Sequence, residues 1–118
     1  GDHGSTFAAG PLVCTAANLV FDRINDPTFL AHVKEMGQYL KEKLYQMEMG
    51  HVGQVRGAGL LIGMQLDQPV APIINAARAQ GLLIISAGED VLRLAPPLIV
   101  EKEQIDTAVS ILAKVLAN

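Results

Sequence analysis

Residues 60–66 constrain the fold more than any other stretch, because their apolar side chains alternate along the chain. One face of a β-strand would carry Leu60, Ile62, Met64 and Leu66. A strand with one apolar face must bury that face against a second layer. Residues 27–49 can supply such a layer, since Leu30, Val33, Gly37, Leu40, Leu44 and Met47 recur every three or four positions, as on a helix.

The remaining pattern completes a chain of four helices and four strands. Helices are predicted over residues 11–24, from Pro69 to Gly81 and from Glu101 onward, with strands at residues 52–56, 82–85 and 91–94. The continuous apolar run at residues 82–85 predicts a central strand buried on both faces. The order indicates an α+β fold, a two-layer small domain with a short, mainly antiparallel sheet covered by helices.

Composition excludes several classes of function. The net charge is −3 and no two basic residues are adjacent, so nucleic-acid binding is not expected. The single cysteine, Cys14, excludes an internal disulfide and indicates a reducing, cytoplasmic setting; its apolar helix predicts burial. No apolar run approaches the ~18 residues of a membrane span. The Gly1 start and the low charged share, 18%, predict a fragment whose apolar surface meets a partner.

Two features could carry chemistry. Arg93 alternates with two leucines at the end of a strand, where its planar fork is well placed to bind a carboxylate, although an ordinary solvent-facing arginine fits the pattern too. The loop around Ser5 and Thr6 offers hydroxyls and backbone N–H groups to a phosphate, or is simply a terminus. Gly57 and Gly59 lead into a strand, which favours a turn over a nucleotide loop.

Four ordered blocks resemble class III pyridoxal-phosphate aminotransferases over essentially the whole chain. GDHGSTFAAGPLVCTAA resembles the family block HGSTFGGNPLA, and VLRLAPPLIVEKEQID resembles its last strand and helix. VRGAGLLIGMQL and ARAQGLLIISAG fit between them, with acetylornithine-type members most similar and ornithine-type members next. The family's Gly-Gly-Asn is Ala8-Ala9-Gly10 here, so added methyl groups are expected to alter the loop.

The resemblance implies the C-terminal small domain of the fold type I enzymes. Residues 1–26 would form a phosphate-contacting loop and connecting helix, and residues 27–118 the small domain. Ser5 and Thr6 would bind the phosphate of pyridoxal 5'-phosphate in the neighbouring subunit of a homodimer, and Arg93 the substrate α-carboxylate. The partners implied are the chain's own large domain, the second subunit, and small amino and oxo acids, with no nucleic acid, membrane or metal.

The catalytic lysine of the family has no counterpart in a similar context here. Lys34, Lys41, Lys43, Lys102 and Lys114 all fall on predicted helices, so no residue is assigned a catalytic role and this chain alone is expected to be inactive. The resemblance implies that the intact enzyme moves the terminal amino group of N-acetylornithine, or ornithine, to 2-oxoglutarate in arginine biosynthesis. The alternative is a stand-alone amino-acid-binding regulatory or oligomerisation module without catalysis.

Overall fold

A computed structural model of the chain describes residues 4, 6, 8–47 and 52–117. In the described residues, the helices are α1 (Pro11–Ile24), α2 (Pro27–Tyr45), α3 (Val70–Ala79) and α4 (Lys102–Leu116). The strands are β1 (Val52–Ala58), β2 (Leu61–Leu66), β3 (Ile85–Ser86) and β4 (Val91–Leu94). The chain divides into two compact units, residues 1–31 and residues 32–118, and the division falls within α2.

In the first unit, α1 begins where the sequence predicts. Gly10 is its N-cap and Pro11 its first residue, where the missing N–H of proline costs no hydrogen bond. Asn25 ends the helix by donating its backbone N–H to the Phe21 carbonyl at 2.8 Å. The Asp26 carboxylate then accepts the backbone N–H groups of Thr28 (2.8 Å) and Phe29 (3.0 Å), and these bonds lower the pKa of Asp26.

The prediction that Cys14 is buried is wrong. Its thiol is free and exposed, and no residue of α1 is buried. The apolar side chains that suggested a core position remain open, with Leu12 83% and Phe21 65% exposed. The reason is that, among the residues that the structure describes, the buried core is built from Met36 and later residues.

The buried stripe of α2 is confirmed in its second half. Met36, Gly37, Leu40 and Leu44 are buried, whereas Leu30 is 49% exposed. The helix ends at Tyr45, four residues before the predicted end. The backbone N–H of Met47 donates to the Leu44 carbonyl at 3.3 Å, a three-residue bond that tightens the last turn. Gly50, which follows the stretch predicted to be helical, lies outside the described residues.

The four strands form an antiparallel sheet in the order β1-β2-β4-β3. The register pairs Val55 with Met64 in β1 and β2, and Met64 with Leu92 in β2 and β4. These three side chains therefore share one face, and all are buried. This inner face packs beneath the apolar sides of α2, α3 and α4 in a single core.

The core confirms the alternation in β2. Ile62 and Met64 are fully buried and Leu66 is 3% exposed, while Leu61 on the other face is 60% exposed. Burying an aliphatic side chain of this size contributes about 1.5–3 kcal/mol relative to leaving it exposed. A slip of one residue would turn this whole set toward solvent, so the alternation sets both the strand register and the face that the helices cover.

The predicted central strand at residues 82–85 is wrong. Only Ile85 and Ser86 form a strand, and it lies at the edge of the sheet. Ile84 is buried but Leu83 is 81% exposed, so the run has one buried face. The central places belong to β2 and β4, which pair on both sides, and the apolar run instead lines a cavity at the sheet edge.

The end of α3 shows why β3 starts late. Gly81 has a φ of 85°, and its N–H donates to the Arg78 carbonyl at 3.0 Å. The N–H of Leu82 donates to the Ala77 carbonyl at 2.9 Å, which completes a Schellman motif. The predicted closure of this helix by Gly81 is confirmed, and the backbone of Leu82 serves the helix end rather than the sheet.

A close approach of two glycines joins α2 to the turn between β1 and β2. A Cβ added to Gly37 would lie 2.2 Å from the carbonyl oxygen of Gly59, which itself has a φ of 51°. The atoms that this Cβ would meet belong to the backbone of Gly59, which cannot move aside as easily as the end of a flexible side chain. The Lys41 ammonium donates to the Gly57 carbonyl and the Tyr45 hydroxyl to the Val55 carbonyl, so the second half of α2 is fixed to β1.

Tyr39 is the centre of a surface network between α2 and α4. Its hydroxyl donates to the Asp106 carboxylate at 2.8 Å, and the Lys43 ammonium lies 3.1 Å from the same carboxylate. Lys102 and Lys43 both lie against the tyrosine ring, 5.5 Å and 5.2 Å from its centroid. The hydrogen bonds from Tyr39 and Lys43 lower the pKa of Asp106, and Asp106 raises the pKa of Lys43.

Replacing Gly37 with alanine should destabilise the fold by about 1–3 kcal/mol, because the new methyl group forces the Gly59 backbone away. At an ordinary helix position the same change would be stabilising. Urea unfolding followed by circular dichroism measures the effect. Gly53→Ala is the matched control, since a Cβ there meets the nearest atom at an ordinary 3.5 Å. Equal unfolding midpoints for the two variants would contradict the packing.

Replacing Asp106 with asparagine should lower stability near neutral pH, and this loss should disappear in acid. The folded pKa of Asp106 is depressed, so its contribution is complete above the unfolded pKa of about 4 and is lost as pH falls through the folded value. Urea midpoints of wild type and D106N, measured from neutral pH down to about pH 3, should converge. Asp22→Asn, at an exposed position of α1, is the control. A constant difference across that range would show that the charge is not responsible.

Candidate functional site

The face of the sheet opposite the helices carries the candidate site. The register places Arg56 opposite Gly63, Gly63 opposite Arg93, and Arg93 opposite Ile85. Residues directly opposite each other in an antiparallel ladder project to the same side. A row across all four strands therefore presents two arginines on the outer face, with a glycine between them.

Arg93 is held on this face by its neighbours in β4. Leu92 is fully buried and Leu94 is 5% exposed, so the strand cannot rotate without losing core contacts, and Arg93 must point away from the helices. Arg93 is exposed, and its guanidinium has no hydrogen-bond or ion-pair partner among the described residues. Its five N–H donors are therefore available to a planar acceptor such as a carboxylate.

Arg56 is the residue that sequence reasoning missed at this site. It is exposed, and its guanidinium donates to the Gln54 side chain at 3.2 Å. The alternation of buried Val55 with its neighbours could have placed Arg56 on the outer face. Its position across from Arg93 depends on the register, which shifts between Val52 and Val55 and cannot be read from the sequence.

The electrostatics of the outer face favour an anion. The four strands contain two arginines and no aspartate or glutamate, although the chain as a whole carries a net charge of −3. Asp90, directly before β4, accepts a hydrogen bond from the Gln65 side chain at 3.2 Å. A carboxylate approaching the row thus meets positive charge and unoccupied donors.

The predicted phosphate-binding loop belongs to the first unit. Thr6 is exposed and lies in a turn, whereas Ser5 lies outside the described residues. Ala9 has a φ of 58°, in the left-handed region that glycine adopts easily. The family block has its second glycine at this position, so an alanine here costs about 1 kcal/mol of backbone strain.

An apolar cavity of about 480 Å³ lies at the β3 edge, apart from the arginine row. Leu83, Pro97 and Ile99 are among the residues that line it, and Gln104 is the polar one. The Gln104 side chain accepts the Glu101 backbone N–H at 3.0 Å as part of the cap of α4. This cavity therefore has little to offer a charged substrate, and the chemistry of the described residues points to the open face of the sheet.

Comparison with known proteins identifies the family. The model of the aminotransferase class III family matches residues 1–116. Acetylornithine aminotransferase from Alnus glutinosa, a mitochondrial protein by its name, is 47% identical over 98% of this chain and 26% of its own length. Acetylornithine aminotransferase from Bacillus cereus is 43% identical over 100% of this chain and 31% of its own length.

Solved structures agree with the fold. Acetylornithine aminotransferase from Elizabethkingia anophelis superposes with a TM-score of 0.84 at 27% identity, over 99% of this chain and 32% of that one. An aminotransferase from Bacillus anthracis gives 0.85 at 29% identity, over 99% of this chain and 30% of that one. The chain spans about a quarter to a third of its relatives, and the predicted α+β small domain is confirmed.

None of the helices in the described part of the chain has the length and apolar character to cross a bilayer. Family model, relatives and structures agree over nearly every residue. The chain belongs to the class III aminotransferases.

Proposed function

We propose that this chain is the C-terminal part of a pyridoxal-phosphate-dependent transaminase that moves the terminal amino group of N-acetylornithine, or ornithine, to 2-oxoglutarate. The names of two relatives support this substrate, since both are acetylornithine aminotransferases, at 47% and 43% identity. A place in arginine biosynthesis follows from the same substrate. An ornithine aminotransferase from Staphylococcus aureus is 41% identical to this chain. Ornithine is therefore the alternative amino donor in this proposal.

The observation that carries the proposal is the open guanidinium of Arg93. It is fixed by buried neighbours on an exposed face and has no partner within the described residues. A bidentate contact to an α-carboxylate would orient the rest of the substrate and contribute through positioning rather than through bond making. Both the amino donor and the oxo acid carry an α-carboxylate that Arg93 would bind. It adjoins the reacting carbon in 2-oxoglutarate, whereas in N-acetylornithine it lies at the opposite end of the molecule from the reacting amine.

The family implies dependence on pyridoxal phosphate, and the cofactor would accept the amino group and pass it on. In this proposal the large domain of the longer enzyme holds most of the cofactor. Thr6 would donate a hydrogen bond from its hydroxyl to the cofactor phosphate in the neighbouring subunit, and its exposed position permits this role. Ser5 would bind the same phosphate. Residues 1–26 would thus be the phosphate-contacting loop and connecting helix, and residues 27–118 the small domain.

We further propose that the chain alone is inactive. Its lysines all lie on α2 or α4. Lys41 contacts the Gly57 carbonyl, Lys43 pairs with Asp106, and Lys102 pairs with Glu35. A lysine that binds the cofactor covalently would come from the large domain. The exposed apolar side chains of α1 and the apolar cavity would meet that domain or the second subunit of a homodimer. A cytoplasmic location is part of this proposal.

Replacing Arg93 with alanine in the longer enzyme should raise the KM for both the amino donor and 2-oxoglutarate by about 10- to 100-fold, the cost of losing a charged hydrogen-bonding partner. The absorption spectrum of the bound cofactor should stay unchanged. Lysine should recover only part of the loss, because it lacks the planar fork. Steady-state kinetics with each substrate varied in turn make this measurement.

Arg78→Ala is the matched control, because Arg78 is an exposed arginine on the last turn of α3. It should leave both Michaelis constants as they are. If R93A behaves like R78A, Arg93 does not bind the carboxylate. If R93A instead abolishes the cofactor spectrum, its role is in cofactor retention and the proposed site is wrong.

A further inference from the structure

We propose that Gly63 is a substrate-contacting residue: it leaves the outer face of the sheet bare beside Arg93, so that the substrate held by Arg93 can lie against the backbone of β2. The inference rests on the proposed carboxylate-binding role of Arg93 and adds a second residue to that site. Arg93 would hold the carboxylate by charge, and Gly63 would leave room for the carbon atoms next to it. A side chain at residue 63 would exclude the substrate by its bulk.

The strand register places Gly63 directly beside Arg93. The two residues are opposite each other in β2 and β4, and the side-chain positions of such partners lie about 4.5–5.5 Å apart on one face. Ile62 and Met64, on either side of Gly63, are fully buried, so β2 cannot turn this position away from the outer face. A ligand that Arg93 holds close to the sheet therefore has Gly63 as its neighbour on β2.

Neither the backbone conformation nor the packing of the described residues requires glycine at residue 63. Its φ lies outside the left-handed region, whereas Gly57 on the adjacent strand has a φ of 145°. A Cβ added to Gly63 would meet its nearest neighbours, Val91 Cγ1 and the Arg56 carbonyl oxygen, at 3.4 Å and 3.9 Å. These are ordinary van der Waals distances, so an alanine would fit without displacing either residue.

Glycine also weakens the strand in which it lies. β2 is one of the two central strands of the sheet, and a glycine inside a strand loses more conformational freedom on folding and offers no side chain to pack on its neighbours. Gly37 must be bare because a Cβ there would lie 2.2 Å from the Gly59 backbone, but none of the described residues comes that close to Gly63. An unfavourable glycine that serves no packing contact, next to the proposed carboxylate-binding arginine, points to a ligand that lies over it.

Replacing Gly63 with alanine distinguishes a ligand contact from a structural role. In the present chain, G63A should have a urea unfolding midpoint equal to or above that of wild type, because the methyl group fits the fold and reduces the freedom of the unfolded chain. A glycine needed for packing would instead give a lower midpoint, as is expected for G37A. Urea unfolding followed by circular dichroism makes this measurement.

In the longer enzyme, the same G63A change should raise the KM for 2-oxoglutarate and N-acetylornithine by about 10-fold or more, the effect of one misplaced methyl group in a fitted binding site. The kcat should change less, and the absorption spectrum of the bound cofactor should stay the same. Valine, which is larger and favours a strand, should raise KM further than alanine does. If G63V does not fold, the alanine variant still decides the question.

Gly53→Ala is the matched control, because Gly53 is a β1 glycine where a Cβ also meets its nearest atom at an ordinary distance, 3.5 Å from the Gln65 carbonyl oxygen. This variant should leave both Michaelis constants within about twofold of wild type, since it lies outside the row that contains Arg93. An equal rise of KM in G53A and G63A would overturn the inference, because the effect would then not depend on the position beside Arg93.

The remaining outcomes separate this inference from the proposed function. Wild-type KM values in G63A, or a lower urea midpoint for the G63A chain, would overturn the role of Gly63. A longer enzyme that G63A destabilises without raising KM would show that protein, rather than substrate, covers this position. If R93A raises KM and G63A does not, only the role of Gly63 is wrong. If R93A leaves KM unchanged, the proposed function itself is wrong.

Discussion

The structure depends on the burial of alternate residues in β2 and β4. Ile62, Met64 and Leu92 point into the core and are fully buried, which fixes the strands in one register beneath the helices. Because side chains alternate strictly along a strand, the intervening residues must point the other way. The same packing that stabilises the domain therefore sets Arg93 on the face opposite the helices that follow residue 32.

One-sided burial leaves the outer face of the sheet as a candidate binding surface. The inner face is aliphatic, and the outer face carries two arginines separated by Gly63. A chain with net charge −3 thus presents a locally positive face. The apolar cavity at the β3 edge has the opposite character, since its lining offers almost no polar groups and suits packing against protein rather than binding of an amino acid.

The sequence predicted those parts of the fold that local rules decide. Pro11 marks the start of α1, Gly81 the end of α3, and the alternation in β2 its buried face, and the structure confirms all three. The predictions for Cys14 and for residues 82–85 were wrong. An apolar run indicates that side chains favour burial, but it does not identify the surface that would bury them.

The candidate site, too, could be predicted only in part from the sequence. Arg93 could be singled out because it interrupts a leucine alternation just before a strand ends. Arg56 could not be joined to it, because their pairing across Gly63 depends on a strand register with an irregularity between Val52 and Val55. At Ala9 the sequence indicated only that a methyl group is added. The positive φ that makes this residue strained is a property of the folded loop.

The central claim is that the helices leave one face of the sheet free so that Arg93 can bind a substrate carboxylate. A crystal structure of the proposed longer enzyme with a bound amino-acid substrate tests it most directly. The account predicts two parallel hydrogen bonds from the Arg93 guanidinium to the α-carboxylate. An Arg93 paired with a carboxylate of the protein in that structure, or an outer face covered by another part of the chain, would contradict it.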